Sequence, residues 1–257
     1  MFDIDPFTIF FFILGALLGS FANVVIYRLP KDQSVVTPRS HCPKCGKIIP
    51  WYLNIPIFAW FFLRGRCYFC KEPFSVRYPI VELIMALSFA YLYSVYGLTW
   101  SLLEYLIFSF GLITASVIDL DHMILPDRFT LSGIVIGLLG AYLNPERDFM
   151  DALVGFLIGG GVLYATAYAY FLLRKIEGMG GGDIKLLGWI GAVCGWKAIP
   201  FVLIASSGLG LLFGIFYILK SKQGLKTGIP FGPYLSAAAL IYIFFDVEPF
   251  MAMAFPF

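Results

Sequence analysis

Apolar residues fall in long, uninterrupted blocks rather than at the spacing of a helix with one wet face. The first, residues 7–27 (FTIFFFILGALLGSFANVVIY), holds no charged residue, and as a helix it is long enough to cross about 30 Å of hydrocarbon. Further blocks lie at about 79–98, 99–118, 128–144, 152–173, 184–197, 198–219 and 229–247. They predict an all-α polytopic membrane protein of about eight transmembrane helices, or seven if the short block 184–197 does not cross. The first block reads as a retained helix, because Asp3 and Asp5 stand where a secretory signal carries basic residues and no small-x-small cleavage site ends it. One long polar segment, residues 28–78, separates the first two helices. Three domains are expected: a first helix (1–27), a small soluble insert (28–78) and a seven-helix membrane core (79–257).

Composition agrees with the pattern. The chain of 257 residues is 60% hydrophobic and 13% charged, where a soluble domain carries about 25% charged residues. Charge also orients the helices. With the insert placed in the cytoplasm, 16 of the 18 Lys and Arg residues fall on that face and only Arg147 and Lys197 on the other, as the positive-inside rule demands. Topology thereby accounts for the basic residues, so the net charge of +2 carries no signal for nucleic acid. Membrane lipid is the expected surrounding.

The insert contains Cys42-Pro-Lys-Cys45 and Cys67-Tyr-Phe-Cys70. Each Cys-x-x-Cys turn places two thiolates on one metal, and two such turns complete a tetrahedral site of the zinc-ribbon kind. Gly46 suits a tight turn after the first pair. A cytoplasmic setting disfavours stable disulfides, and no βαβ pattern suggests a redox pair. The zinc is expected to be structural: four cysteines leave no open position for chemistry, and an insert of this size needs a metal to supply stability that its core lacks. His41 reads as an ordinary polar neighbour, and Cys194 as a packing residue in an apolar helix.

Ionisable groups at membrane depth are costly and point to function. Asp119-Leu-Asp121-His122 closes the third helix ahead of Leu125-Pro126-Asp127, and Asp183 lies in Gly178-Met-Gly180-Gly-Gly182-Asp183-Ile-Lys185 at the start of the sixth. Alternating topology brings Asp119 and Asp183 to the same membrane face. Two such carboxylates can share a proton and activate water against a peptide bond, one as base and one as acid. Gly180 to Gly182 would let a substrate backbone approach closely and allow positive φ. The segment lacks the Lys-Ser/Thr pair of a phosphate-binding loop. Asp121 and Asp127 read as interfacial caps or partners of Arg128, His122 as a solvated loop residue, and Glu82 and Glu104 as structural or hydrated carboxylates.

Taken together, these motifs resemble the type IV prepilin peptidases. The resemblance rests on Gly19-Ser-Phe-Ala-Asn23, Arg28-Leu-Pro30, both Cys-x-x-Cys pairs, Asn54-Ile-Pro56, Gly65-Arg-Cys67, Arg77-Tyr-Pro-Ile-Val-Glu82, the segment Asp119–Asp127 and Gly180–Lys185. It implies a bifunctional enzyme of the bacterial cytoplasmic (inner) membrane. Such an enzyme cuts the basic leader of type IV prepilins and pseudopilins after glycine at the cytoplasmic face, then methylates the new N-terminal residue with S-adenosylmethionine. Asp119 and Asp183 would be the catalytic aspartates. Asp121, Asp127 or Glu177 would receive the basic leader. A presenilin-like protease shares the Gly-x-Gly-Asp pattern, and an ion-coupled transporter would also hold carboxylates at such a depth. Neither of these has an evident use for the zinc-type insert.

Overall fold

The computed structural model describes residues 5–176, 178–220, 230–245 and 247, with side chains left out of account at 216–220. Glu177, Lys222 and Lys226 lie outside the described residues. Each apolar block coincides with one helix: α1 (Pro6–Arg28), α3 (Arg77–Tyr96), α4 (Trp100–His122), α5 (Asp127–Leu143), α6 (Phe149–Arg174), α7 (Gly181–Cys194), α8 (Ala198–Lys220) and α9 (Gly232–Phe244). A five-residue helix, α2 (Phe58–Phe62), lies in the insert, and no strand forms among the described residues. By length and hydropathy, five helices among the described residues are able to cross a membrane: α1, α3, α4, α6 and α8. The described parts of α5, α7 and α9 are shorter, at 17, 14 and 13 residues. Asp119 and Asp121 prove to be helical, because α4 runs four residues beyond the apolar block. Met123 then ends it with φ +53 and an N–H that donates to the Asp119 carbonyl at 2.8 Å, which is the usual left-handed stop.

The chain divides into two compact units, residues 1–114 and 115–257, with the boundary inside α4. In the first, α1 and α3 run antiparallel. Tyr93 donates to the N-cap carboxylate of Asp5 at 2.9 Å, Gly15 packs on Met85 and Ala86, Gly19 on Glu82, and Asn23 Nδ2 donates to the Tyr78 carbonyl at 3.1 Å. A Cβ on Gly15 or Gly19 would sit 2.6–2.7 Å from α3 backbone atoms. Lipid removes most of the hydrophobic drive for helix pairing, so this backbone contact replaces it. The outward face of α1 shows Phe7, Phe10, Ile13 and Leu17, each about half exposed, as expected of a surface that meets acyl chains.

In the second unit, α7 is apolar on every side, and Leu186 to Val193 are all buried, as in a helix enclosed by others. It runs antiparallel to α6, with Gly155 against Gly191 and Gly159 against Leu187, and parallel to α5, with Gly133 under the Trp189 indole and Gly137 on Val193. A Cβ at Gly191 would lie 2.1 Å from the Gly155 carbonyl oxygen, so these small residues set how deeply α7 sits. The alternating order puts the N-terminal ends of α5, α7 and α9 together beside the C-terminal end of α4.

Candidate active site and metal centre

Four helix ends build the carboxylate site. Asp119, in the last turn of α4, is 5% exposed. Asp183 is the third residue of α7, behind the N-cap Gly180. The two carboxylates are near enough for the charge of Asp119 to act on Asp183. The Asp119 carboxylate accepts the N–H of Gly232, one of the first N–H groups of α9, which have no partner within their own helix. Asp183 Oδ1 is buried with no hydrogen-bond partner. A buried acceptor left free costs about 1–3 kcal/mol, so the site is built to receive a donor there, such as a water or a shared proton.

Leu125 is the wedge that spaces this cluster. Its side chain lies between Gly182 and Gly232: a Cβ on Gly182 would meet Leu125 Cβ at 2.9 Å, and one on Gly232 would meet Leu125 Cδ1 at 3.0 Å and Asp119 Oδ2 at 2.6 Å. Gly182 and Gly232 therefore serve packing rather than unusual dihedrals. Gly180 has φ −70, Gly181 and Gly182 are helical, and none appears among the positive-φ residues, which corrects the expectation of left-handed turns there. Pro126 supplies the extended N-cap of α5, and Asp127 begins that helix. Asp127 pairs with Lys185 rather than Arg128, tying the start of α5 to the start of α7. Asp121 and His122 are exposed.

Gly232 was not legible as a site residue from its type alone. A Gly-Pro pair opening an apolar helix signals a helix start, but nothing in it announces a carboxylate neighbour. Gly232→Ala is expected to leave the helices folded, since the clashing atoms belong to side chains that can shift. It moves the Asp119 carboxylate, and displacement of about 1 Å at a reacting group can cost roughly 10²-fold. Peptidase assays of the purified variant, set beside its helix content, check this.

The cysteines form two matching knuckles. Antiparallel bridges His41–Ile48 and Arg66–Pro73 flank them. Within each, the first cysteine's N–H reaches Lys47 or Glu72, at 3.0 and 2.8 Å, and its carbonyl accepts from Gly46 or Lys71, at 2.9 and 3.0 Å. The residue after the second cysteine has positive φ in both, Gly46 at +68 and Lys71 at +61. All four sulfurs lie within 4.8 Å of one another, and Cys42 and Cys70 are 3.7 Å apart. A tetrahedron with metal–sulfur bonds of about 2.3 Å has edges of about 3.8 Å, so Cys42, Cys45, Cys67 and Cys70 fit one metal ion. Burial pushes the Cys67 thiol up, but N–H groups of Cys70 and Phe69 and two neighbouring thiols outweigh it and bring Cys67 to about 7. At Cys70 the Glu72 N–H acts downward, whereas burial and the three other thiols push it up to about 12. All four sulfurs can be thiolates at once only around a cation.

The family described as "Bacterial Peptidase A24 N-terminal domain" matches residues 13–96, and the "Type IV leader peptidase family" matches residues 106–215. The chain is 39% identical over 258 residues to a prepilin leader peptidase/N-methyltransferase of Aeromonas hydrophila, covering 90% of this chain and 88% of the relative. It is 36% identical over 253 residues to the Pseudomonas aeruginosa protein of that name, covering 89% and 87%. The Myxococcus xanthus protein is 41% identical over 222 residues, covering 86% of this chain and 66% of that one. No solved structure matches. With two peptidase-family matches along its length and relatives of this identity aligned nearly end to end, the chain belongs to the type IV leader peptidase family, in its bacterial branch of prepilin leader peptidase/N-methyltransferases.

Proposed function

We propose that this chain is an aspartic endopeptidase of the bacterial cytoplasmic membrane. It removes the basic leader of type IV prepilins and pseudopilins after glycine at the cytoplasmic face, and then methylates the new N-terminal amine with S-adenosylmethionine. The observation that carries the peptidase reading is the meeting of Asp119 and Asp183, from helices far apart in sequence, at a site that leaves one buried carboxylate oxygen free. One carboxylate takes a proton from the attacking water and the other protonates the leaving amine, so the pair acts as a unit. Gly180 keeps a side chain away from Asp183, since a Cβ there would lie 3.9 Å from Asp183 Oδ2, and Gly182 makes room for Leu125. The Lys185–Asp127 pair, with Pro126, holds the two helix starts at fixed spacing.

The insert 28–78 is read as a cytoplasmic zinc domain, its Zn2+ structural because four cysteines fill the coordination shell. The charge map supports that side for the insert and for both aspartates. When bound, S-adenosylmethionine supplies an electrophilic methyl: the free amine's lone pair takes the methyl carbon, the carbon–sulfur electrons stay on sulfur, and the amine gives up one proton. Purified prepilin with its leader intact, incubated with the chain in lipid, tests the reading. Release of a leader ending in glycine is expected. Cutting within the apolar helix of the substrate would instead favour a presenilin-like protease.

A further inference from the structure

The first unit holds a half-open cavity of about 310 Å³ between the end of α1, the start of α3 and the cysteine-bearing insert. Small-molecule sites begin near this size, at about 300 Å³. Its lining holds two buried ionisable side chains, one basic and one acidic, with no partner of opposite charge among the described residues. Arg28 is 7% exposed, and its guanidinium donates to the carbonyls of Ser34 at 3.0 Å and Pro38 at 2.8 Å. Glu82 is equally buried and accepts from the Ile57 N–H at 2.6 Å and from Ser20. Burying an ion without a counter-ion is unfavourable, so a cavity lined by one of each sign calls for a ligand carrying both.

Two further observations point the same way. Asn23 is 3% exposed; its Nδ2 is bonded to Tyr78, while its Oδ1 has no partner. Ile57 is a β-branched residue with φ 65 and ψ −60, at the centre of a γ-turn closed by Phe58 N–H to Pro56 carbonyl at 2.6 Å. That conformation is strained, and strain of this kind persists where the surroundings hold it for a purpose. Here Glu82 clamps it. Trp60, Tyr68 and Phe74 add aromatic faces to the same wall.

We infer that this cavity is the S-adenosylmethionine site of the chain. The inference takes from the proposed function only that a methyl donor is used. That donor joins a carboxylate, an ammonium, a sulfonium and a purine in one compact molecule. Arg28 matches the carboxylate, and Glu82 matches the cationic end. The free Asn23 oxygen accepts one N–H or O–H, and the aromatic faces take the purine and the sulfonium. The lining residues all fall between Ser20 and Glu82, inside the match at 13–96 and outside the leader-peptidase match at 106–215. The two chemistries thus occupy separate units of the chain.

Binding of isotope-labelled S-adenosylmethionine to the purified full chain in phosphatidylcholine nanodiscs tests this, without prepilin or turnover, so its failure is distinct from failure of the aspartate dyad. Ultraviolet photolabelling of the wild-type chain is expected to mark aromatic residues of the cavity within residues 20–82. Glu82→Gln keeps an acceptor for Ile57 N–H but removes the charge, and is expected to weaken donor binding about tenfold or more, with zinc content and helix content unchanged. Label recovered from residues 115–257, or unchanged affinity in Glu82→Gln, overturns the assignment. If that variant loses its zinc, the wild-type label still decides.

Discussion

Asp119→Asn and Asp183→Asn are each expected to lower prepilin cleavage by about 10²–10⁴-fold or more, the range of a general acid or base. Asparagine keeps the volume and one acceptor oxygen, so Asp119→Asn can still accept the Gly232 N–H and the helices should assemble. What it cannot do is take or give up the shared proton. For two carboxylates that work as one unit, the double variant should be little worse than either single one, the non-additivity seen when one catalytic device is broken twice. Activity lost in equal independent steps would point to two separate roles. Rates measured on all three variants, beside the wild type and at matched lipid content, distinguish these outcomes.

Removal of the metal is expected to have the other large effect. Structural zinc in small cysteine sites contributes apparent binding energy of about 10–16 kcal/mol, which there is folding energy. The insert has little else to hold it: its two knuckles close through single β-bridges, and Trp51, Phe58, Phe61 and Phe62 are strongly exposed. Chelation, or Cys42→Ser, should therefore open residues 28–78 to proteases and to thiol reagents while the membrane helices persist. One zinc per chain by elemental analysis is expected, with four thiols newly reactive after chelation. An insert that stays protease-resistant and metal-free would contradict the zinc-domain reading. Since the cavity between Arg28 and Glu82 uses walls from the insert, donor binding should fall with it.

The helices were legible because a bilayer demands long apolar runs, and those leave an unmistakable pattern. Their ends were less so. The block that closes at residue 118 hides the last turn of α4, because Asp119, Asp121 and His122 are polar yet helical. The cysteine pairs were legible from spacing alone, since Cys-x-x-Cys has little other use in such an insert. Asp119 and Asp183 were singled out by the cost of a carboxylate at that depth. Glu82 belongs to the same class, but the sequence alone reads it as a structural or hydrated carboxylate. Its environment depends on Ile57, Asn23 and Arg28, which a loop fold brings together and no periodicity encodes. Gly232, and the reason for Gly182, were hidden for a related reason: what makes both glycine is the side chain of Leu125, visible only once α4, α7 and α9 are packed.

The measurement that bears most directly on the dyad is hydrolysis of a purified prepilin in heavy-oxygen water by the wild-type chain and by Asp119→Asn and Asp183→Asn, each shown to retain zinc and helix content. A two-aspartate site predicts a leader whose new C-terminal carboxylate carries the heavy oxygen from the wild type, and essentially no cut from either variant. Cleavage by either variant at near the wild-type rate would contradict it.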